Sequence, residues 1–148
     1  DLGFNYRLTD IQCALGISQL RRIDSFLTKR REIASLYTRL LEGDQRFKPY
    51  REQTGCQSSW HFYPLRIEGI SPKQKQKLFQ QLNNEGIFPQ VHYISIHLHP
   101  YYRKLFGYRP GDFPNAERFY KEEISLPLFV DLPLSDVKRI VKKIKQVV

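Results

Sequence analysis

Trp60-His61-Phe62-Tyr63-Pro64-Leu65-Arg66-Ile67 is a run of apolar and aromatic residues suited to a strand. Ser71-Pro72 follows as a helix start, with proline at the first helical position. Leu78, Phe79 and Leu82 form the buried stripe of that helix, and Gly86 ends it. Strand, helix and turn in this order set the pattern for the second half of the chain. Phe88 to Ile96, β-branched and aromatic but interrupted early by Pro89, reads as a second strand. After His97 to Tyr102 come a short helix to Gly107 and a loop at Pro110, Gly111 and Pro114. A helix from about Asn115 to Glu123 leads into a short strand, Ile124 to Phe129, closed by Pro127. Ser135 is the expected cap of a last helix with Val137, Ile140, Val141 and Ile144 on one face.

Working back from Trp60, the polar, turn-forming stretch from Asp44 to Gln57 reads as a connection. Before it, Thr9 and Gln12 match a capping box. Ile11, Ala14, Leu15, Leu20, Ile23, Phe26 and Leu27 then recur at helical spacing, and the pattern runs on through Ile33, Ala34, Leu36, Tyr37, Leu40 and Leu41 to Gly43. Such a helix of about 33 residues would extend on the order of 50 Å. That exceeds what a domain of this size covers, so the helix is expected to bend or to join two domains. The fold class is α+β: about three strands covered by helices and preceded by a long linking helix. The expected division is 1–49 and 50–148, with Trp60, Phe62, Phe79 and Phe119 among the core aromatics.

The sequence has 148 residues, of which 41% are hydrophobic, enough for a buried core rather than a disordered chain. Its net charge of +9 favours attraction to phosphates or acidic surfaces without identifying a ligand. No stretch approaches the roughly 20 apolar residues that span a bilayer, and the first ten residues lack a secretory pattern. A soluble, cytoplasmic protein is expected. There is no methionine, so Asp1 is not a translation start and the chain is expected to be a piece of something longer. Cys13 and Cys56 form neither a disulfide framework nor a thiol metal motif, and Cys13 falls on the apolar stripe, where a buried, inert thiol is expected.

Two clusters offer chemistry. Gly3, Asn5, Tyr6 and Arg7 lie just before a helix N-terminus, whose free N–H groups favour a phosphate or carboxylate; the competing reading is a polar surface turn. His92, His97 and His99 lie near Tyr93, Tyr101 and Tyr102. In a strand His97 and His99 would share a face. With no third ligand in register no metal is expected. A polar pocket and an ordinary core edge remain the alternatives. Lys138, Arg139, Lys142, Lys143 and Lys145 on the last helix read as a solvated face rather than a nucleic-acid or membrane surface, since no aromatic interleaves with them. There is no glycine-rich phosphate loop and no G-x-S-x-G turn.

Several segments together carry a resemblance. They are Gly3 to Gln12, Ala14-Leu15-Gly16, Gln19-Leu20, Lys29 to Ala34 with Tyr37, Ser58 to Tyr63, Gly86-Ile87, and Gln90 to Tyr93. Pro100-Tyr101-Tyr102 and Ala116-Glu117 leading to Ser125-Leu126-Pro127-Leu128-Phe129 continue the order. The chain resembles the C-terminal part of the DegT/DnrJ/EryC1/StrS family of pyridoxal-phosphate-dependent nucleotide-sugar aminotransferases, over nearly its whole length.

The resemblance implies the small C-terminal domain of a fold-type-I homodimer, its strands mainly antiparallel, closing an active site carried by a large domain. It implies pyridoxal phosphate as cofactor, an amino-acid donor, and a nucleotide-linked keto-sugar as acceptor, in surface polysaccharide or glycan synthesis. The cofactor's covalent lysine, pyridine-nitrogen acid and stacking aromatic would lie upstream of Gly3. None of the eleven lysines takes that role, so this chain alone is expected to be inactive. Asn5 and Arg7 would bind the cofactor, and Tyr6, Tyr93 and His97 the substrate. The rival function is a basic module that holds nucleic acid or another polyanion.

Overall fold

The computed structural model describes residues 3, 4 and 6–148. The expected capping box closes at the head of α1 (Asp10–Leu20): Gln12 N–H donates to Thr9 Oγ1, and Thr9 N–H donates to Gln12 Oε1. The long helix is interrupted and forms two elements. At Arg21–Arg22 the bonding tightens, with Arg22 N–H donating to the Gln19 carbonyl, and α2 (Ile23–Leu41) continues beyond. The two halves differ in what they cover. The second buries Ile33, Ala34, Leu36, Tyr37 and Leu41, whereas α1 buries nothing. Ile11 is 83% exposed, and Cys13, expected inside, is exposed because nothing among the described residues packs on its helix.

Within the stretch read as a connection, Phe47–Pro49 forms β1, too short to leave a periodic signal. It pairs antiparallel with β2 (Tyr63–Ile67). The chain does not extend from Trp60 as expected: Trp60 has a left-handed φ of 48°, so it turns there and the strand begins three residues later. In β2, Tyr63, Leu65 and Ile67 point into the core and Pro64 and Arg66 away from it, the period-two pattern of a one-sided strand. β2 is flanked by α3 (Pro72–Asn84), whose cap repeats the first, Ser71 Oγ accepting Gln74 N–H.

The segment Phe88 to Ile96 is not a strand. Only Gln90 pairs, exchanging both backbone hydrogen bonds with Ser125. One step on, His92 N–H goes to the Glu123 carboxylate instead of to a neighbouring carbonyl, and the ladder stops. A single 3-10 turn (Ile96–Leu98), α4 (Pro100–Phe106) and α5 (Pro114–Glu122) follow. β3 (Glu123–Leu126) then joins the other side of β2, giving one antiparallel sheet in the order β1-β2-β3. α6 (Leu134–Val147) starts one residue before Ser135, with Pro133 in the cap position, and buries Val137, Ile140, Val141 and Ile144 as expected.

α2, α3 and α6 cover the core face of the sheet, and the core takes residues from Ile33 to Ile144. Trp60 is buried and Phe79 packs at its margin, but Phe62 and Phe119 lie at the surface. Tyr37 lies tilted against Tyr63, which stacks on Trp60, with ring centroids 4.9 and 5.5 Å apart. Tyr37 OH donates to the Pro127 carbonyl at 3.0 Å, and Tyr63 OH lies 2.8 Å from Thr38 Oγ1. Arg30 reaches the carbonyls of Trp60, His61 and Leu128, tying α2 to both loops. Among the described residues, no helix is long and apolar enough to cross a membrane.

Burial raises the phenol pKa of Tyr63 to about 12 and that of Tyr37 further. A phenol titrates near 10 in the unfolded chain, so the neutral form is favoured by folding. The stability this carries is complete below about pH 10 and is lost as the pH rises through the folded values. In an alkaline titration followed by tyrosinate absorbance and circular dichroism, these two tyrosines should ionise last, together with unfolding. Ionisation of all tyrosines before any loss of structure would contradict the packing described.

Candidate active site

The described residues before α1 are Gly3, Phe4, Tyr6, Arg7, Leu8 and the cap Thr9, all exposed, and Asn5 lies outside the described residues. Tyr6 is 85% exposed, its ring tilted against that of Phe4 with 5.9 Å between centroids. The Arg7 guanidinium offers five donors in a planar fork, a chemical match for a phosphate or carboxylate.

Tyr93 and His97 are brought together. They line a cavity of about 580 Å³ with Ile96, Tyr108, Phe113 and Phe119, whereas Tyr6 and Arg7 belong to no wall of it. The 3-10 turn buries His97 against Phe113, 4.7 Å between ring centroids. Its Nε2 lies 2.8 Å from Glu117 Oε1, and that oxygen also accepts Gly111 N–H at 2.7 Å. The Gly111 N–H first, and then His97, hold the Glu117 carboxyl below the usual carboxylate range. Glu117 sits in the first turn of α5, where the helix N-terminus favours negative charge. With Nε2 committed to Glu117, Nδ1 is the ring atom through which His97 would meet a ligand.

His97 and His99 do not share a strand face, because the chain there forms the 3-10 turn and then the head of α4. His99 caps α4 at the surface, 3.3 Å from the Ile94 carbonyl. His92 stacks on Phe62 and bonds Ser125. Among the described residues, no group of three or more His, Cys, Asp or Glu is placed to hold a metal. Glu117, Glu123 and Ser125 were given no role by the sequence, since their histidine partners lie 20 residues or more away.

Lys75 and Lys143 are engaged within the fold. Lys75 has a lowered pKa through burial, yet its ammonium donates to the carbonyls of Tyr120, Lys121 and Glu123, closing the end of α5. Lys143 pairs with Glu85 at 2.6 Å, and Arg139 donates to the Glu85 carbonyl and Asp136, while Lys138 and Lys142 on the same helix are exposed.

A model of the DegT/DnrJ/EryC1/StrS aminotransferase family matches residues 1–145. This chain belongs to that family. Among curated family relatives, it is 40% identical over 138 residues to the UDP-4-amino-4,6-dideoxy-N-acetyl-beta-L-altrosamine transaminase of Campylobacter jejuni serotype O:2, covering 93% of this chain and 36% of that protein. It is 35% identical to the spore coat polysaccharide biosynthesis protein SpsC of Bacillus subtilis, covering 99% and 38%. Its fold superposes on Helicobacter pylori PseC, an aminotransferase of pseudoaminic acid biosynthesis, with a TM-score of 0.89 and 35% identity over 99% of this chain and 39% of that one. Streptococcus pneumoniae Spr1654, solved in its PLP form, gives 0.89 and 34% over 95% and 36%. The chain thus spans 36–39% of the length of these relatives. The α+β architecture, the three antiparallel strands and the linking helix are those expected of the small part of the family fold.

Proposed function

We propose that this chain is the small domain and linking helix of a pyridoxal-phosphate-dependent, cytoplasmic, homodimeric transaminase. The enzyme passes an amino group from an amino acid to a nucleotide-linked keto-sugar, a UDP-4-keto-6-deoxy-N-acetylhexosamine, in surface polysaccharide or glycan synthesis. The observation that carries the reading is the family match over residues 1–145, which includes both the Asn5-Tyr6-Arg7 segment and the Tyr93–His97 wall. In this reading residues 1–49 supply the linking helix and residues 50–148 the small domain.

When bound, the cofactor supplies the electron sink that lets an amino group leave one carbon and join another. This chain's residues bind and orient. Asn5 and Arg7 donate to the cofactor's anionic group, Arg7 through two parallel N–H groups. Tyr6 lines the same entrance from the substrate side. Tyr93 offers an aromatic face and a hydroxyl to the sugar, and the ring of His97, oriented by Glu117, meets it through Nδ1.

His97→Ala in the cofactor-loaded protein that carries this chain should raise KM for the nucleotide-sugar more than it slows the half-reaction with the amino donor, since only the sugar reaches that wall. Stopped-flow measurement of each half-reaction separates the two. An equal defect in both, or lost stability alone, would take His97 out of the sugar site.

A further inference from the structure

Beside the Tyr93–His97 wall lies a buried network to which neither the sequence nor the proposed reaction assigns a task. Glu123 is 1% exposed and Ser125 3%, two positions apart on β3. One Glu123 oxygen, Oε2, accepts the backbone N–H of His92 at 3.0 Å. The other, Oε1, accepts the Ser125 hydroxyl at 2.5 Å. Ser125 Oγ is at the same time 2.7 Å from His92 Nδ1.

Counting protons decides the direction of these bonds. A carboxylate can only accept, and a serine hydroxyl has one hydrogen. Ser125 spends that hydrogen on Glu123, so toward His92 it can only accept, and Nδ1 must carry the proton. We propose that Glu123 and Ser125 are positioning residues that fix His92 as its Nδ1–H tautomer, presenting Nε2 as an acceptor for a ligand hydroxyl beside Tyr93. The ring is held in place as well as in tautomer: it stacks on Phe62 at 4.7 Å and meets the edge of Tyr93 at 4.6 Å. His92 lines a cleft of about 240 Å³ with Phe62, Phe88, Gln90 and Tyr93, and Tyr93 is common to this cleft and the larger cavity. A sugar hydroxyl is the donor that suits an imidazole acceptor between aromatic faces. The tautomer follows from the network alone; the sugar as donor rests on the proposed function.

Glu123→Gln makes a sharp test because it preserves shape. The carbonyl of the new side-chain amide must face the fixed His92 N–H, which turns its NH₂ toward Ser125; Ser125 then donates to Nδ1, and the imidazole proton moves to Nε2. Ring nitrogen shifts of His92 in the ¹⁵N-labelled 148-residue chain read this directly. Above the ring's titration, the wild type should show a protonated Nδ1 and a bare Nε2, and Glu123→Gln the reverse. Ser125→Ala should abolish the Nδ1–H preference and Ser125→Thr restore it, a pair that decides the matter if Glu123→Gln does not fold. A protonated Nε2 in the wild type, or the same tautomer in all variants, overturns the proposal. In the cofactor-loaded protein, Glu123→Gln should raise KM for the nucleotide-sugar roughly tenfold, the loss of one hydrogen bond, without a matching loss in the amino-donor half-reaction. A reversed tautomer with unchanged sugar KM overturns the part played in sugar binding. Absence of the donor half-reaction in the wild type would instead strike at the proposed function, leaving the nitrogen shifts to decide the tautomer.

Discussion

Leu65→Ala will lower the unfolding free energy by about 2–5 kcal/mol, the range for a buried leucine whose cavity collapses only in part. For a chain of this length that corresponds to a fall in Tm of roughly 5–15 °C. Leu65 is fully buried on the central strand, between Pro49 of β1 and Ile124 of β3 in register. Its side chain faces the layer that α2, α3 and α6 supply, so truncation removes contacts on several elements at once. The control is Leu15→Ala on α1. Leu15 is 61% exposed, and its loss should cost no more than about 0.5 kcal/mol. Denaturant unfolding of both variants checks the pair. A Leu15 effect as large as that of Leu65 would mean that α1 packs on the core, contrary to the structure.

Arg7→Ala should cut the rate of the amino-donor half-reaction, or cofactor retention, by about one to two decades in the protein that carries this chain. The reason is the type of bond lost. A hydrogen bond to a charged group is worth roughly 1.5–3 kcal/mol, and each 1.4 kcal/mol is tenfold. Arg7→Lys keeps the charge but not the two-pronged geometry, so it should recover only part of the loss. Single-turnover kinetics and a cofactor-binding titration measure both effects. A lowered Tm with wild-type kinetics would place Arg7 outside the site.

What could be read from the sequence was local. Thr9 with Gln12 and Ser71 with Pro72 announce helix starts because each signal lies within four residues, and the stripe on α6 buries the four positions its periodicity marks. What failed was decided at a distance. Phe88 to Ile96 has the composition of a strand, but its ladder ends where a carboxylate 31 residues away takes the next N–H. The α1 stripe is real in periodicity, yet nothing in the described chain covers it, which is why Cys13 is exposed. Phe62 and Phe119 are aromatic in pattern but sit over the clefts instead of in the core.

The candidate site divides in the same way. Tyr93 and His97 were singled out through the family resemblance and do share a cavity wall. Their orientation depends on Glu117, 20 residues beyond His97, and on Glu123 and Ser125 behind His92, partners that no short motif connects. Asn5, in the same motif as Arg7, falls outside the described residues.

The most direct measurement is the absorbance of pyridoxal phosphate bound to the protein that carries this chain, first with an amino donor and then with a UDP-4-keto-6-deoxy-N-acetylhexosamine. The account predicts that the donor shifts the spectrum to that of the amine form and that the keto-sugar returns it, with formation of the amino sugar. A spectrum unmoved by any amino donor or nucleotide-linked keto-sugar, together with tight and steeply salt-dependent binding of random nucleic acid, would contradict it.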